Sequence, residues 1–303
     1  MQHQAIGIIG YGEVGRIFAL GLKDKGATIA GAWDIKFGAE ATRDVTRAAA
    51  AADGVPALGS SAEVCAVATL VISAVTASST LAVAEEAAQH IRPGTLFLDL
   101  NSASPGTKQK CAALIEAAGG HYVEAGVMTS VPPYGIRVPM LLGGAKAAAL
   151  APQLVAWGMD AKAVSEKLGV ASAIKMCRSV MIKGLEALVI ESYATARHYG
   201  VEAHVLPTLA ETFPSIDWEK QGAYFFSRVV QHGKRRAEEM RESANTVREA
   251  GFEPYMTASI ADKQQWVADQ AAAGVFADVA ADARWQDYAD RLLAARDGAG
   301  KTR

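Results

Sequence analysis

Gly10-Tyr11-Gly12-Glu13-Val14-Gly15 has the residue types and spacing to hold a diphosphate. The apolar run Ala5 to Ile9 feeds this G-x-G-x-x-G turn, and a helical stretch, Arg16 to Lys25, follows it. In such a unit the first glycine permits the tight turn. The second lets the backbone approach a pyrophosphate, and the third lets the helix pack on the strand. The free N–H groups of the helix start then face the phosphates. The strand before the motif and the helix after it supply the context that a bare glycine pattern lacks. Asp34 ends the next β-like run, Thr28 to Trp33, where a carboxylate accepts from ribose hydroxyls and repels a 2′-phosphate. This favours NAD. Lys36 and Arg43 lie close enough in sequence to hold a phosphate, so NADP stays open. Val75 and Thr76, at the end of a later strand, complete the expected cofactor residues.

The elements that must position these residues follow from the pattern of the chain. Leu70 to Val75, Thr95 to Leu100, Tyr122 to Val127 and Met140 to Leu142 are further apolar runs, separated by helical stretches. Continuous apolar strands alternating with helices predict a mostly parallel sheet covered on both faces. From Val170 to about His198 apolar residues recur at helical spacing without proline. Beyond it the chain reads as helices broken at Pro207, Pro214, Gly233, Gly251 and Pro254. The expected organisation is α/β: a Rossmann domain over residues 1–164, then a long connecting helix and an all-α domain over 165–303.

Composition narrows the function. The 303 residues suit about two domains. A formal charge of -2, with a pI near 6.3, argues against nucleic acid as a partner. Cys65, Cys111 and Cys177 are widely separated, which predicts reduced thiols, no metal site and a cytoplasmic setting. No signal peptide or transmembrane run is expected, because the N-terminal apolar stretch leads straight into the glycine loop.

Four segments together resemble the β-hydroxyacid dehydrogenase family, which includes 6-phosphogluconate and 3-hydroxyisobutyrate dehydrogenases. The glycine fingerprint is the first. The second, Asp99-Leu100-Asn101-Ser102-Ala103-Ser104-Pro105, is similar to the family's D-x-S-T-x-x-P segment beside the nicotinamide. The third, Glu124-Ala125-Gly126-Val127-Met128-Thr129-Ser130, stands where the family has D-A-P-V-S-G-G, whose last three residues grip a substrate carboxylate. Met128, Thr129 and Ser130 replace all three, so the pocket differs in shape. The fourth runs from Gly169 to Ser179 and resembles G-x-G-x-x-x-K-x-x-x-N, in which the lysine is catalytic; Lys175 matches that lysine, while Ser179 replaces the asparagine.

The resemblance implies a nicotinamide-dependent oxidoreductase acting on a small, anionic hydroxy or oxo compound. Lys175 is the expected general acid and base, with Ser179 one turn on. A free lysine titrates near ~10.4, and a neighbouring cation such as Arg178 lowers it. Ser102, Met128, Thr129, Ser130, Arg178, His232 and Arg235 are the expected substrate residues, the last two from a basic cluster read as a helix start. A reductase of imines or bulky ketones on the same fold, and a dinucleotide-binding protein without catalysis, are the alternatives. A homodimer formed through the helical domain is implied as well.

Overall fold

The computed structural model describes residues 4–280 and 282–299, with side chains to residue 296. The described residues fall into two compact units that divide between Cys177 and Arg178.

The first unit alternates strands and helices. In chain order they are β1 (Ala5–Ile9), α1 (Glu13–Asp24), β2 (Thr28–Trp33), α2 (Arg43–Ala52), α3 (Ser61–Val67), β3 (Leu70–Ser73), α4 (Thr80–Ala88), β4 (Leu96–Asp99), α5 (Pro105–Ala117), β5 (His121–Val127), β6 (Met140–Gly143), α6 (Ala147–Ala156) and β7 (Ala161–Ser165). One seven-stranded sheet has the order β2-β1-β3-β4-β5-β6-β7. Neighbours are parallel except β5 and β6. The expected mostly parallel sheet is therefore present. β7 is an addition, its run of alternating residues too polar at Lys162 to read as a buried strand.

Side chains alternate across the strands, as a period of two requires. Ile6, Ile8, Leu70, Ile72, Leu98 and Val123 enter one apolar layer with Phe18 and Leu22 of α1. Ile9, Val71, Phe97 and Tyr122 enter the opposite layer with Val64, Ala84, Cys111 and Ile115. Both faces are covered, so the strands are apolar almost throughout. The order reverses at β1, flanked by β2 and β3, and this is where ligands of open α/β sheets bind.

The long helix α7 spans Val170–Tyr199, close to the predicted bounds. After it come α8 (Glu202–Thr212), α9 (Trp218–Glu249), α10 (Tyr255–Ala272) and α11 (Trp285–Ala299). No described helix is long and apolar enough to cross a membrane. The core of this second unit is aromatic: Tyr193 and Trp285 meet edge to face at 4.8 Å, and Phe226 stacks on Tyr288.

Two expected helix breaks are absent. Pro207 lies inside α8, and Gly233 lies inside α9. Gly233 serves packing instead: a Cβ there would sit 2.8 Å from the Gln264 carbonyl oxygen of α10. His232, Arg235 and Arg236 accordingly stand in the middle of α9 and not at a helix start.

Candidate active site

The strands β1, β3, β4 and β5 are parallel, so their C-terminal ends share one edge of the sheet. The glycine loop leaves β1 there. Gly10 has φ +92°, a conformation that suits glycine, and its N–H donates to the Trp33 carbonyl at 2.8 Å. A Cβ on Gly15 would lie 1.8 Å from the Gly10 carbonyl oxygen, so α1 packs against the loop only with glycine at that position. Gly12 behaves differently. A Cβ there would meet nothing within 4 Å, and no side chain caps the start of α1 that it precedes. Open space in front of uncapped helix N–H groups is what a pyrophosphate needs. The loop therefore fits a dinucleotide. Glu13 is exposed beside it, and Val14 is half-buried against the core.

Tyr11 has an anchoring side chain. Its hydroxyl donates to Asp53 Oδ2 at 2.9 Å, and Arg16 donates to both Asp53 oxygens at 2.6 and 2.8 Å. Hydrogen bonding to Arg16 holds the Asp53 carboxyl below the usual range, and burial followed by Asp53 raises the Tyr11 phenol. The loop is thus tied to the residue that ends α2. Asp34 follows β2, half-buried, and its Oδ1 accepts from the Lys36 N–H at 2.9 Å, capping the short turn Ile35–Phe37. Arg43 is 3.6 Å from Asp44.

At the ends of β3 and β4, Asn101 joins the two strands. Its Oδ1 accepts from the Val75 N–H at 2.7 Å, and its Nδ2 donates to Ser73 Oγ at 2.9 Å. Its backbone N–H donates to Asp99 Oδ1 at 2.8 Å. Asp99 is itself buried. Its Oδ2 is 3.0 Å from Lys108 Nζ and accepts a short hydrogen bond from the Tyr122 hydroxyl. Burial, reinforced by Asp99, raises the Tyr122 phenol and keeps it a donor. Burial likewise pushes the nearby Cys111 thiol up to about 12, so it is inert. Thr76, exposed after β3, has its hydroxyl within 3.2 Å of Ser78 and Ser79.

This bonding shapes the turn that presents Ser102. The Lys175 ammonium, on the second turn of α7, donates a short hydrogen bond to Ser102 Oγ, and both side chains are partly buried. The structure therefore brings together the lysine and the serine singled out from sequence. Met128, Thr129 and Ser130 begin the loop after β5. The Met128 N–H donates to the Pro139 carbonyl at 2.9 Å, Thr129 is exposed, and Ser130 is half-buried.

The remaining expected residues belong to the second unit. Ser179 is buried, with its Oγ 3.4 Å from Lys183 Nζ. Lys183 is buried too, 2.7 Å from Glu239 Oε2. Arg235 lies 3.9 Å from Glu239, His232 is half-buried, and Arg178 is exposed. Glu186 is paired with Arg236 and accepts from Gln264 Nε2 at 3.2 Å. Burial nevertheless raises its carboxyl above the ordinary value. Among the described residues no group of acidic, histidine and cysteine side chains could hold a metal ion.

Sequence reading assigned no role to Asp53, Asp99, Asn101, Lys108 or Glu124. For Lys108 a signal existed. It shares an i, i+3, i+4, i+7 stripe with Cys111, Ala112 and Ile115, the buried face of α5. A lysine on such a stripe requires a buried carboxylate.

Residues 5–157 match the NAD binding domain of 6-phosphogluconate dehydrogenase, and residues 196–267 match a domain of unknown function, DUF1932. A conserved hypothetical protein from Sinorhizobium meliloti is 37% identical, with 96% of each chain covered and a TM-score of 0.75. A conserved protein of unknown function, described as structurally similar to 3-hydroxyacid dehydrogenases, is 30% identical over 88% of this chain and 99% of its own, with a TM-score of 0.65. The 3-hydroxyisobutyrate dehydrogenase of Mycobacterium tuberculosis, solved with L-serine, shares the fold at 17% identity, covering 96% and 99% of the two chains with a TM-score of 0.67. With half of its residues matching one family model, the chain belongs to the family that carries the NAD binding domain of 6-phosphogluconate dehydrogenase.

Proposed function

We propose that this protein is an NAD(P)-dependent oxidoreductase of a small hydroxy or oxo compound, with Lys175 moving the proton. The observation that carries the reading is the hydrogen bond from Lys175 to Ser102 at the sheet edge that also bears the glycine loop.

When bound, the nicotinamide supplies or accepts the hydride at C4 of its ring. The chain's own residues then have three tasks. Gly10, Gly12 and Gly15, with the first N–H groups of α1, would hold the diphosphate. Asp34 would accept from the ribose hydroxyls and repel a 2′-phosphate, which favours NAD. Lys175 gives a proton to the forming alkoxide on reduction and takes one on oxidation, a contribution of about 10²- to 10⁴-fold. Ser102 Oγ orients the ammonium and donates its own hydrogen onward to the substrate oxygen. Thr129 and Ser130 offer donors to an anionic substrate group. A homodimer in the cytoplasm completes the reading.

The experiment is a screen of hydroxy acids, aldehydes, ketones and amines, each with NAD and NADP, followed at the absorbance of the reduced nicotinamide. Turnover of a hydroxy or oxo acid, faster with NAD, is expected. Turnover confined to imines would replace the substrate class. No substrate-dependent change with either cofactor would leave a binding protein.

A further inference from the structure

We infer that Glu124 is a positioning residue for Lys175, fixing the rotation and depth of the first turns of α7 against β5. The inference rests on the reading of Lys175 as the proton carrier.

Glu124 lies within β5 and is fully buried. Its Oε1 accepts from the N–H of Gly169 at 2.8 Å and from the N–H of Ala171 at 3.1 Å. These are among the N–H groups that a helix start leaves without an internal partner. An anion there gains both the hydrogen bonds and the positive end of the helix dipole. The carboxylate thus caps α7 from a different element.

Two glycines are cut to fit this joint. Gly143 pairs with Glu124 in the antiparallel register of β6, and a Cβ on it would lie 2.5 Å from Glu124 Oε1. Gly126 lies on the same face of β5 as Glu124, two residues on. A Cβ on Gly126 would lie 2.8 Å from the Ala171 carbonyl oxygen and 3.6 Å from Lys175 Cβ. The backbone of α7 therefore rests directly on β5 at the turn that carries Lys175. Each helical residue advances the direction of the side chain by roughly 100°, so a slip of one residue would aim Lys175 away from Ser102. Two Glu124 hydrogen bonds and the Gly126 seat exclude that slip. Among the described residues the hydrogen bonds of the Glu124 carboxyl are the two that its Oε1 accepts from the start of α7.

The test compares Glu124→Ala, Glu124→Gln, Gly126→Ala and Lys175→Ala by crystal structures without cofactor, by kcat on the best substrate of the screen, and by dinucleotide Kd. Glutamine keeps the Oε1 acceptor. Expected are a lost Lys175–Ser102 hydrogen bond and a kcat lower by about 10- to 100-fold in Glu124→Ala and Gly126→Ala. Dinucleotide Kd should stay near wild type in both, and Glu124→Gln should keep the pair and most of the turnover. An unchanged Lys175–Ser102 pair in Glu124→Ala overturns the inference. So does full kcat in that variant when Lys175→Ala is inactive. If Lys175→Ala is fully active, the catalytic reading fails while the structures still decide the joint. If Glu124→Ala does not fold, Gly126→Ala decides, and an intact pair there with full kcat overturns the proposal.

Discussion

Lys175 and Ser102, 73 residues apart, meet because two separate anchors converge on them. Asp99, Lys108, Tyr122 and Asn101 brace the turn that carries Ser102, while Glu124 braces the helix that carries Lys175. Replacing Ser102 by alanine removes the oriented hydroxyl and leaves the lysine. The expected outcome is a kcat lower by about tenfold, against a far larger loss for the lysine itself. Steady-state kinetics on both variants measures the difference.

The three loop glycines separate folding from binding. Gly15→Ala places a Cβ against the Gly10 carbonyl and should lower Tm markedly. Gly12→Ala meets no protein atom, so Tm should hold. The same methyl would stand in front of the α1 N–H groups, and dinucleotide Kd should rise by about tenfold or more. Calorimetry of both variants with and without cofactor checks the contrast.

Strong acid should release the Asp53 anchor of the glycine loop. The Asp53 carboxyl is held low by Arg16, so its contribution is present above the ordinary carboxylate pKa near ~3.9 and is lost as pH falls through the depressed value. Asp53→Asn should remove this part of the acid sensitivity and free the Tyr11 ring. Tm measured between about pH 2 and 6, in wild type and variant, gives the comparison.

In the second unit, Arg236→Met leaves the Glu186 carboxyl buried without its cation. The expected cost is about 3–5 kcal/mol. The double variant Arg236→Met with Glu186→Leu should recover most of it, because a buried pair replaced whole by apolar groups is often neutral or better. Urea unfolding of the three proteins measures both values.

Much of the fold was legible because its strands are buried on both faces and read as apolar runs, and because α7 repeats apolar residues over thirty positions without proline. β7 was not, since Lys162 interrupts it. Pro207 and Gly233 were misread as breaks, a proline and a glycine being tolerated where packing holds the helix. The glycine loop was legible from spacing, whereas Lys175 was singled out only through the family resemblance of the segment from Gly169 to Ser179. Glu124 and Asp53 were not, because each acts on a partner more than thirty residues away, a relation that only the sheet register and helix packing create.

The most direct test of the account is Lys175→Ala, assayed with the cofactor and substrate that the screen selects. The account predicts a kcat lower by about 10²-fold or more, with dinucleotide Kd unchanged. Wild-type turnover in that variant would contradict it.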